Sequence, residues 1–163
     1  LFLEHGQNPV PGSATICILE GTRPLLVEVQ ALVLKSQLAM PRRVGRGIEL
    51  SRIQVLSAVL QKHCNLPLSY SDIFLSAAGG FKVREPAVDL GLAVAVASSL
   101  KNKAIPKKTI FIGEVGLLGE IRSVQYLDRR IKEAKRLGFS QVISRKSHSN
   151  VREVLKELKL TSP

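Results

Sequence analysis

Residues 79–100 of this chain read GGFKVREPAVDLGLAVAVASSL and place a charged turn directly before an almost wholly apolar run. Pro86 stands where the first helical turn is predicted to begin, because its missing N–H is one that a helix cannot use there. The run that follows carries one charged residue, Asp89, and a helix that is apolar all round is buried on several sides. Lys82 and Glu85, in the turn before this helix, are therefore expected at the edge of the hydrophobic core. Such a position suits an active site or a structural ion pair.

Hydrophobic periodicity predicts alternating strands and helices on both sides of this helix. Strands are predicted over 14–20, 24–34, 72–78 and 139–144, a hairpin over 109–124, helices over 49–63, 86–100 and 126–137, and a last helix capped by Ser149. Residues 35–47 contain Pro41 and two glycines and are predicted as a loop. The order β-β-α-β-α-β-β-α-β-α indicates a layered α/β (α+β) architecture in a single domain.

The composition favours one compact aliphatic core. The 163 residues are 45% hydrophobic but only 4% aromatic, and a chain of this length buries about two-thirds of its unfolded surface in one core. The longest apolar stretches fall short of the roughly 18 to 20 residues that span a bilayer, so no transmembrane segment is predicted. Cys17 and Cys64 are isolated from each other and from any His or Cys cluster, so we expect buried thiols in a reducing compartment and predict neither a disulfide nor a metal site.

The charge of the chain is its most unusual global property. There are 24 Lys and Arg residues against 13 Asp and Glu, a formal net charge of +11. Such an excess favours polyanion binding, because cations that contact phosphates release condensed counterions. A membrane surface would attract the same charges but would also need an exposed apolar helix face with interfacial aromatics, which the sequence lacks. No membrane partner is expected.

Three segments, EGTRPLLVEVQALV (20–33), AAGGFKVREPAVDLGLAVAVASSL (77–100) and FIGEVGLLGEIRSV (111–124), occur in the order found in one known family. With the PGSA lead-in and the PRR loop, they resemble the carboxy-terminal Lon-protease-like domain of the bacterial-type RadA (Sms) DNA-repair family. The resemblance covers essentially the whole chain. It implies a Lon proteolytic-domain-like fold over 14–160, a mixed sheet with helices packed on it, and a linker over 1–13 from an upstream ATPase core that this chain does not contain.

The resemblance to Lon allows the positions of the peptidase's catalytic residues to be compared with this sequence. Lon peptidases carry a nucleophilic serine before the buried helix and an activating lysine on the helix after the hairpin, since a serine hydroxyl needs such a base. Aligned on these motifs, the serine position holds Val88 and the lysine position falls at about Asp128. Ser98 and Ser99, some three turns further along, are expected to be small packing residues. We therefore expect a non-catalytic domain rather than a peptidase.

What the resemblance implies about function is the work of the RadA family, a hexameric ring whose ATP-driven motor moves DNA during recombination and branch migration. This chain has no phosphate-binding loop of the G-x-x-x-x-G-K-[ST] type and no four-cysteine zinc finger. ATP, Mg²⁺ and Zn²⁺ are accordingly expected only in the upstream domains. The implied partners are DNA, single-stranded and also double-stranded, with the preference left open, and further copies of the chain in a ring. The implied location is the bacterial cytoplasm or nucleoid, or a mitochondrion or chloroplast if the source is a plant.

Basic residues on the motif segments, in the loop over 35–47 and at the start of the helix that follows it are the candidate DNA contacts. Lys82 and Arg122 are expected to converge on the face of the former active site, with Arg42, Arg43, Arg46 and Arg52 as further candidates. Contacts to phosphate need charge and loose geometry only, so binding would be independent of sequence and sensitive to salt. The alternative for each residue is a solvated charge or a structural ion pair.

Charged residues beside these candidates are given structural roles. The basic residues of the helix over 126–137 are predicted to form an ordinary exposed face: Arg129, Arg130, Lys132, Lys135 and Arg136. Glu85 and Asp89 are predicted to cap the buried helix, where negative charge is favoured, or to pair with an arginine of a neighbouring copy. Two other functions stay open, a purely structural oligomerisation scaffold and, less favoured, a residual Ser/Lys peptidase.

Overall fold

The computed structural model describes residues 8–161, which form a six-stranded mixed sheet with helices on both faces. The sheet begins with an antiparallel hairpin of β1 (Ser13–Glu20) and β2 (Arg23–Lys35). Gly21 adopts a φ of 64° at the turn, a conformation that glycine reaches without steric cost. This hairpin confirms the prediction from the GTR sequence.

The remaining strands extend the sheet on both sides of the hairpin. They are β3 (Arg43–Arg46), β4 (Ser71–Ala77), β5 (Thr109–Ile112) and β8 (Gln141–Ser144), in the order β3-β4-β2-β1-β5-β8. β2 and β4 are antiparallel, whereas β3–β4, β1–β5 and β5–β8 are parallel. A mixed α/β single domain, as predicted, is confirmed.

Four helices cover the sheet. The helices are α1 (Leu50–Cys64), α2 (Asp89–Lys101), α3 (Leu127–Arg136) and α4 (Val151–Glu157). Apolar residues of α1, α2 and α4 share one core with one face of the sheet. α3 packs on the other face, against a smaller cluster that includes Cys17, Leu26 and Ile110.

The buried helix α2 is held unusually close to β1. Every residue from Asp89 to Ser98 is buried, as the apolar run predicts. A Cβ built on Gly91 would lie 2.2 Å from Cγ2 of Ile16, far inside van der Waals contact. Glycine at this position therefore sets the distance between helix and sheet.

Three local predictions were wrong. β3 lies inside the predicted loop. The prediction missed it because this edge strand has only one apolar residue, Val44, and because its pairing with the distant strand β4 has no local sequence pattern. The hairpin predicted over 109–124 is divided at Gly113: β5 joins the main sheet, and only β6 (Glu114–Val115) pairs with β7 (Ile121–Arg122). The N-cap of α4 is Asn150, whose side chain accepts from the N–H of Glu153, rather than Ser149.

The ends of the chain are only partly described. Of the predicted linker over 1–13, residues 1–7 lie outside the described residues; 8–12 form neither helix nor strand, and β1 begins at Ser13. The assignment of a linker stays a prediction. Among the described residues, no helix is both long enough and apolar enough to cross a membrane.

Candidate nucleic-acid interface

An ion pair occupies the start of α2. The guanidinium of Arg52 pairs with the Asp89 carboxylate and also donates to the carbonyl of Arg84 at 3.0 Å. The second carboxylate oxygen of Asp89 accepts from the N–H of Val115 at 3.1 Å. Burial raises the pKa of Asp89, while the Val115 N–H and Arg52 act in the opposite direction. These contacts tie α1, α2 and the β6–β7 hairpin together.

A second ion pair lies under α3. Arg130 is only 3% exposed, pairs with Glu85, and donates to the carbonyls of Cys17 and Gln125 at 2.9 Å each. Glu85 also accepts from the N–H of Leu19 at 2.8 Å. The predicted exposed position of Arg130 was therefore wrong: its charge is a buried structural group that joins α3, β1 and the segment before α2.

The roles predicted for the two acidic residues also need correction. Neither Glu85 nor Asp89 makes a side-chain capping bond to the turn at Pro86–Val88 or to α2. Each instead pairs with an arginine of the same chain. The alternative that the sequence left open, a structural ion pair, is what the structure contains.

The positions that align with the Lon serine and lysine hold Val88 and Asp128. Val88 is fully buried, and Asp128 is exposed and pairs with Lys146. The Ser98 hydroxyl is buried, donates to the carbonyl of Lys103 and accepts from the N–H of Gly12 at 2.9 Å. Ser99 accepts from the N–H of Val33 at 2.9 Å. Both serines bind main-chain groups that connect α2 to the sheet.

Three exposed cations lie on two adjacent segments near this ion-paired region. The N–H of Val83 donates to the carbonyl of Gly47 at 2.7 Å, and Ile48 and Val83 form a parallel bridge. Arg46 on one segment and Lys82 and Arg84 on the other are exposed. Within residues 8–161, their side chains have no hydrogen bond or ion pair. We call these three residues the cationic edge. The acidic residues nearest to it along the chain are Glu85, which follows Arg84 and pairs with Arg130, and the exposed Glu49.

The six predicted DNA contacts fall into three groups. Arg46 and Lys82 are exposed and belong to the cationic edge. Arg42 and Arg122 are also exposed, with side-chain exposures of 54% and 55%, but pair with Asp72 and Glu120. Arg43 and Arg52 are largely withdrawn from solvent.

Arg42 and Arg43 connect the β2–β3 loop to β4. Arg42 pairs with Asp72 at 2.9 Å and lies over the ring of Phe74 at 5.4 Å. The side-chain hydrogen bond from Arg42, followed by its main-chain N–H, lowers the pKa of Asp72 to about 2. Arg43 donates to the carbonyls of Ser71 and Leu68, and burial lowers the pKa of its guanidinium. Both side chains thus have structural partners.

Arg122 approaches the ion-paired region from the hairpin. It stands opposite Glu114 in the β6–β7 register, and the next residue of β6, Val115, binds Asp89. Since Asp89 pairs with Arg52, which contacts Arg84, a chain of contacts links the hairpin to the cationic edge. Lys82 and Arg122 thus lie on segments that meet at the start of α2.

Arg84 is the member of the cationic edge that the sequence prediction missed as a contact. A usable signal was present, because Lys82 and Arg84 alternate with Val83, which is buried. Alternate residues of an extended segment point to opposite sides. The bridge to Ile48 is what brings this segment beside Arg46, and no local pattern predicts that bridge.

The described part of the chain also contains two cysteine thiols and side chains of the types that could bind a metal ion. Cys17 and Cys64 are buried, as predicted, and burial raises their pKa values to about 12 and about 11. Within residues 8–161, no three His, Cys, Asp or Glu residues are grouped so that they could hold a metal ion. The residues that form the candidate interface are cationic rather than metal-ligating.

The fold and this site define a class of protein, a mixed α/β domain with buried ion pairs beside the start of α2 and an exposed cationic edge.

A family model described as subunit ChlI of Mg-chelatase matches residues 27–148, and the chain belongs to that family. Curated relatives carry a different description. "DNA repair protein RadA" of Halalkalibacterium halodurans is 44% identical over 143 residues, that of Chlamydia pneumoniae 50% over 143, and that of Pseudomonas aeruginosa 48% over 143.

These relatives agree with the resemblance noted in the sequence. Each alignment covers 88% of this chain. The chain spans only 31–32% of the length of the relatives. The similarity is therefore to one segment of bacterial DNA repair proteins named RadA.

Proposed function

We propose that this chain is the carboxy-terminal, Lon-like domain of a RadA-type DNA repair protein and that it binds DNA without catalysing a reaction. The observation that carries the proposal is the cationic edge, where Arg46, Lys82 and Arg84 are exposed and have no ionic partner within residues 8–161. The similarity to proteins named DNA repair protein RadA supports the choice of DNA as the polyanion.

The arginines of the two buried ion pairs differ from the residues of the cationic edge in whether an acidic side chain neutralises them. Arg52 and Arg130 are neutralised by Asp89 and Glu85 and stabilise the fold. Among the residues that the structure describes, the cationic edge has no such partners, so its charge is available to phosphates. Because phosphate contacts need little geometric precision, the edge would bind DNA of any sequence.

Self-association is the second part of the proposal. Several copies arranged in a ring would repeat the cationic edge around one axis and focus positive potential on a strand that passes along it. A hexamer is the state that the RadA resemblance implies. The ATP-driven steps of recombination and branch migration would then belong to domains outside this chain, in the bacterial cytoplasm.

Binding is tested by fluorescence anisotropy with labelled single-stranded and double-stranded DNA at low salt. The variant replaces Arg46, Lys82 and Arg84 with Ala, and the matched control replaces the exposed Lys132, Lys135 and Lys156 with Ala, removing the same charge elsewhere. We expect the first variant to lose about tenfold or more in affinity, since charged contacts to phosphate dominate such binding. Equal losses in both variants, or no binding by the wild type, would exclude this site.

A purely structural scaffold is the competing function. It is favoured by exposed apolar residues at two separate places, Leu32 and Leu34 on β2 and Leu117 and Leu118 in the β6–β7 hairpin. Sedimentation velocity over a range of concentrations separates the functions: a self-associating protein that binds no DNA would be a scaffold only. Incubation with an unfolded protein substrate tests the residual peptidase, for which we expect no cleavage.

A further inference from the structure

Part of one face of the main sheet is not covered by any helix of the described chain. Leu26, Leu32 and Leu34 of β2 point to the same face because their spacing is even. Leu26 is buried beside α3, whereas Leu32 and Leu34 are 58% and 44% exposed. Phe74 pairs with Leu32 on one side and with Val44, which is 41% exposed, on the other. We call Leu32, Leu34, Val44 and Phe74 the open sheet patch.

A second apolar feature lies at the tip of the β6–β7 hairpin. The N–H of Gly119 donates to the carbonyl of Gly116 at 2.9 Å, which closes a turn with Leu117 and Leu118 at its centre. These leucines are 71% and 76% exposed, the two most exposed leucines of the described residues. Tight turns favour small or polar residues, so two leucines here need a role other than forming the turn.

The two apolar features lie on opposite sides of the domain. The tip contacts the end of α1, since the His63 ring is 3.0 Å from the carbonyl of Leu117. The hairpin also contacts the start of α2 through Val115 and Asp89. Both helices pack on the face of the sheet that is opposite the open sheet patch. A contact from tip to patch between two copies is therefore head-to-tail, the kind that closes into a ring.

Charge disfavours a two-fold contact of the patch with itself. Arg42 lies over Phe74, and Arg46 belongs to the next row of the same face, opposite Ser76. The carboxylates on this face, Glu28 and Asp72, are buried. Asp72 offsets the charge of Arg42, but within residues 8–161 Arg46 has no ionic partner, so two copies of the patch would bring two unpaired arginines together. At the tip, by contrast, Glu120 and Arg122 pair at 3.1 Å and offset each other's charge.

We propose that the Leu117–Leu118 tip of one copy binds the open sheet patch of the next. This contact deepens the proposed self-association and rests on it. It is independent of the proposed DNA binding at the cationic edge except through Arg46, which lies beside both.

Site-directed cross-linking tests the contact. Leu118→Cys and Val44→Cys are made separately, mixed, and treated with a short bis-maleimide. The native Cys17 and Cys64 are buried and have raised pKa values, so they react slowly. We expect a cross-linked dimer only in the mixture. A mixture of Leu118→Cys with Ser140→Cys, an exposed position elsewhere, is the matched control and should give none.

Each other outcome contradicts the proposed contact. Cross-linking of Val44→Cys alone would show a two-fold contact of the patch with itself. Sedimentation of the wild type as a multimer without cross-linking in the mixture would leave self-association standing and overturn this interface. Sedimentation as a monomer at all concentrations would overturn both.

Sedimentation of surface variants provides an independent measurement. Replacing Leu117 and Leu118 with Ser should weaken self-association by about tenfold or more, because apolar surface that the contact buries is removed. Leu50→Ser replaces a leucine that is 50% exposed on α1 and should leave self-association unchanged. Equal effects of the two changes would contradict the assignment of the tip.

Discussion

Replacement of Arg130 by Met is predicted to destabilise the domain far more than any change on the exposed side of the same helix. The guanidinium is 3% exposed and joins Glu85 to the carbonyls of Cys17 and Gln125. Met has a similar length but no donor, so all three acceptors lose a partner. Removing one member of a buried pair costs about 3 to 5 kcal/mol. We expect about 3 kcal/mol, because the Glu85 side chain keeps 25% exposure.

Urea unfolding of three variants separates the ion pair from general effects of the substitution. Lys132→Met, on the exposed face of α3, should change the free energy of unfolding by less than about 0.5 kcal/mol. A double variant with Arg130→Met and Glu85→Gln should be more stable than Arg130→Met alone, because no unpaired charge is left. A cost below about 1 kcal/mol for Arg130→Met, or no recovery in the double variant, would refute the reasoning.

The remaining predictions concern packing and pH. Gly91→Ala should destabilise the domain by about 1 to 3 kcal/mol in thermal unfolding through overlap with Ile16, although alanine normally favours a helix; a gain in stability would contradict the close approach. Asp72 has its pKa lowered from 3.8 to about 2, so its ionised form stabilises the folded state above the unfolded value, and this contribution is lost as pH falls toward 2. The stability difference between the wild type and Asp72→Asn should therefore shrink between about pH 5 and pH 2, and a constant difference would contradict the assignment.

The sequence predicted those parts of the fold that have a local signal. The apolar run of α2 and the β1–β2 hairpin are as expected, because periodicity and turn residues specify them directly. β3 was missed because its pairing with β4 is a contact between distant segments. The exposed position predicted for Arg130 failed for a related reason: Glu85, its partner, is far away in sequence.

The candidate site was predictable to a similar extent. Lys82 was identified from its charge and motif position and Arg46 from its charge in the predicted loop, and both are exposed. Arg52 belonged to the same prediction, but its charge is held by Asp89. Sequence shows which residues are basic, whereas only the fold shows which of them have an acidic partner.

The salt dependence of DNA binding tests the central claim most directly. For single strands the slope of log affinity against log salt is about −0.7 for each phosphate contact, so the variant without Arg46, Lys82 and Arg84 should show a slope less steep by about 2. The control variant without Lys132, Lys135 and Lys156 should keep the slope of the wild type. An unchanged slope in the first variant, or an equal change in the control, would contradict a phosphate-binding role for the cationic edge.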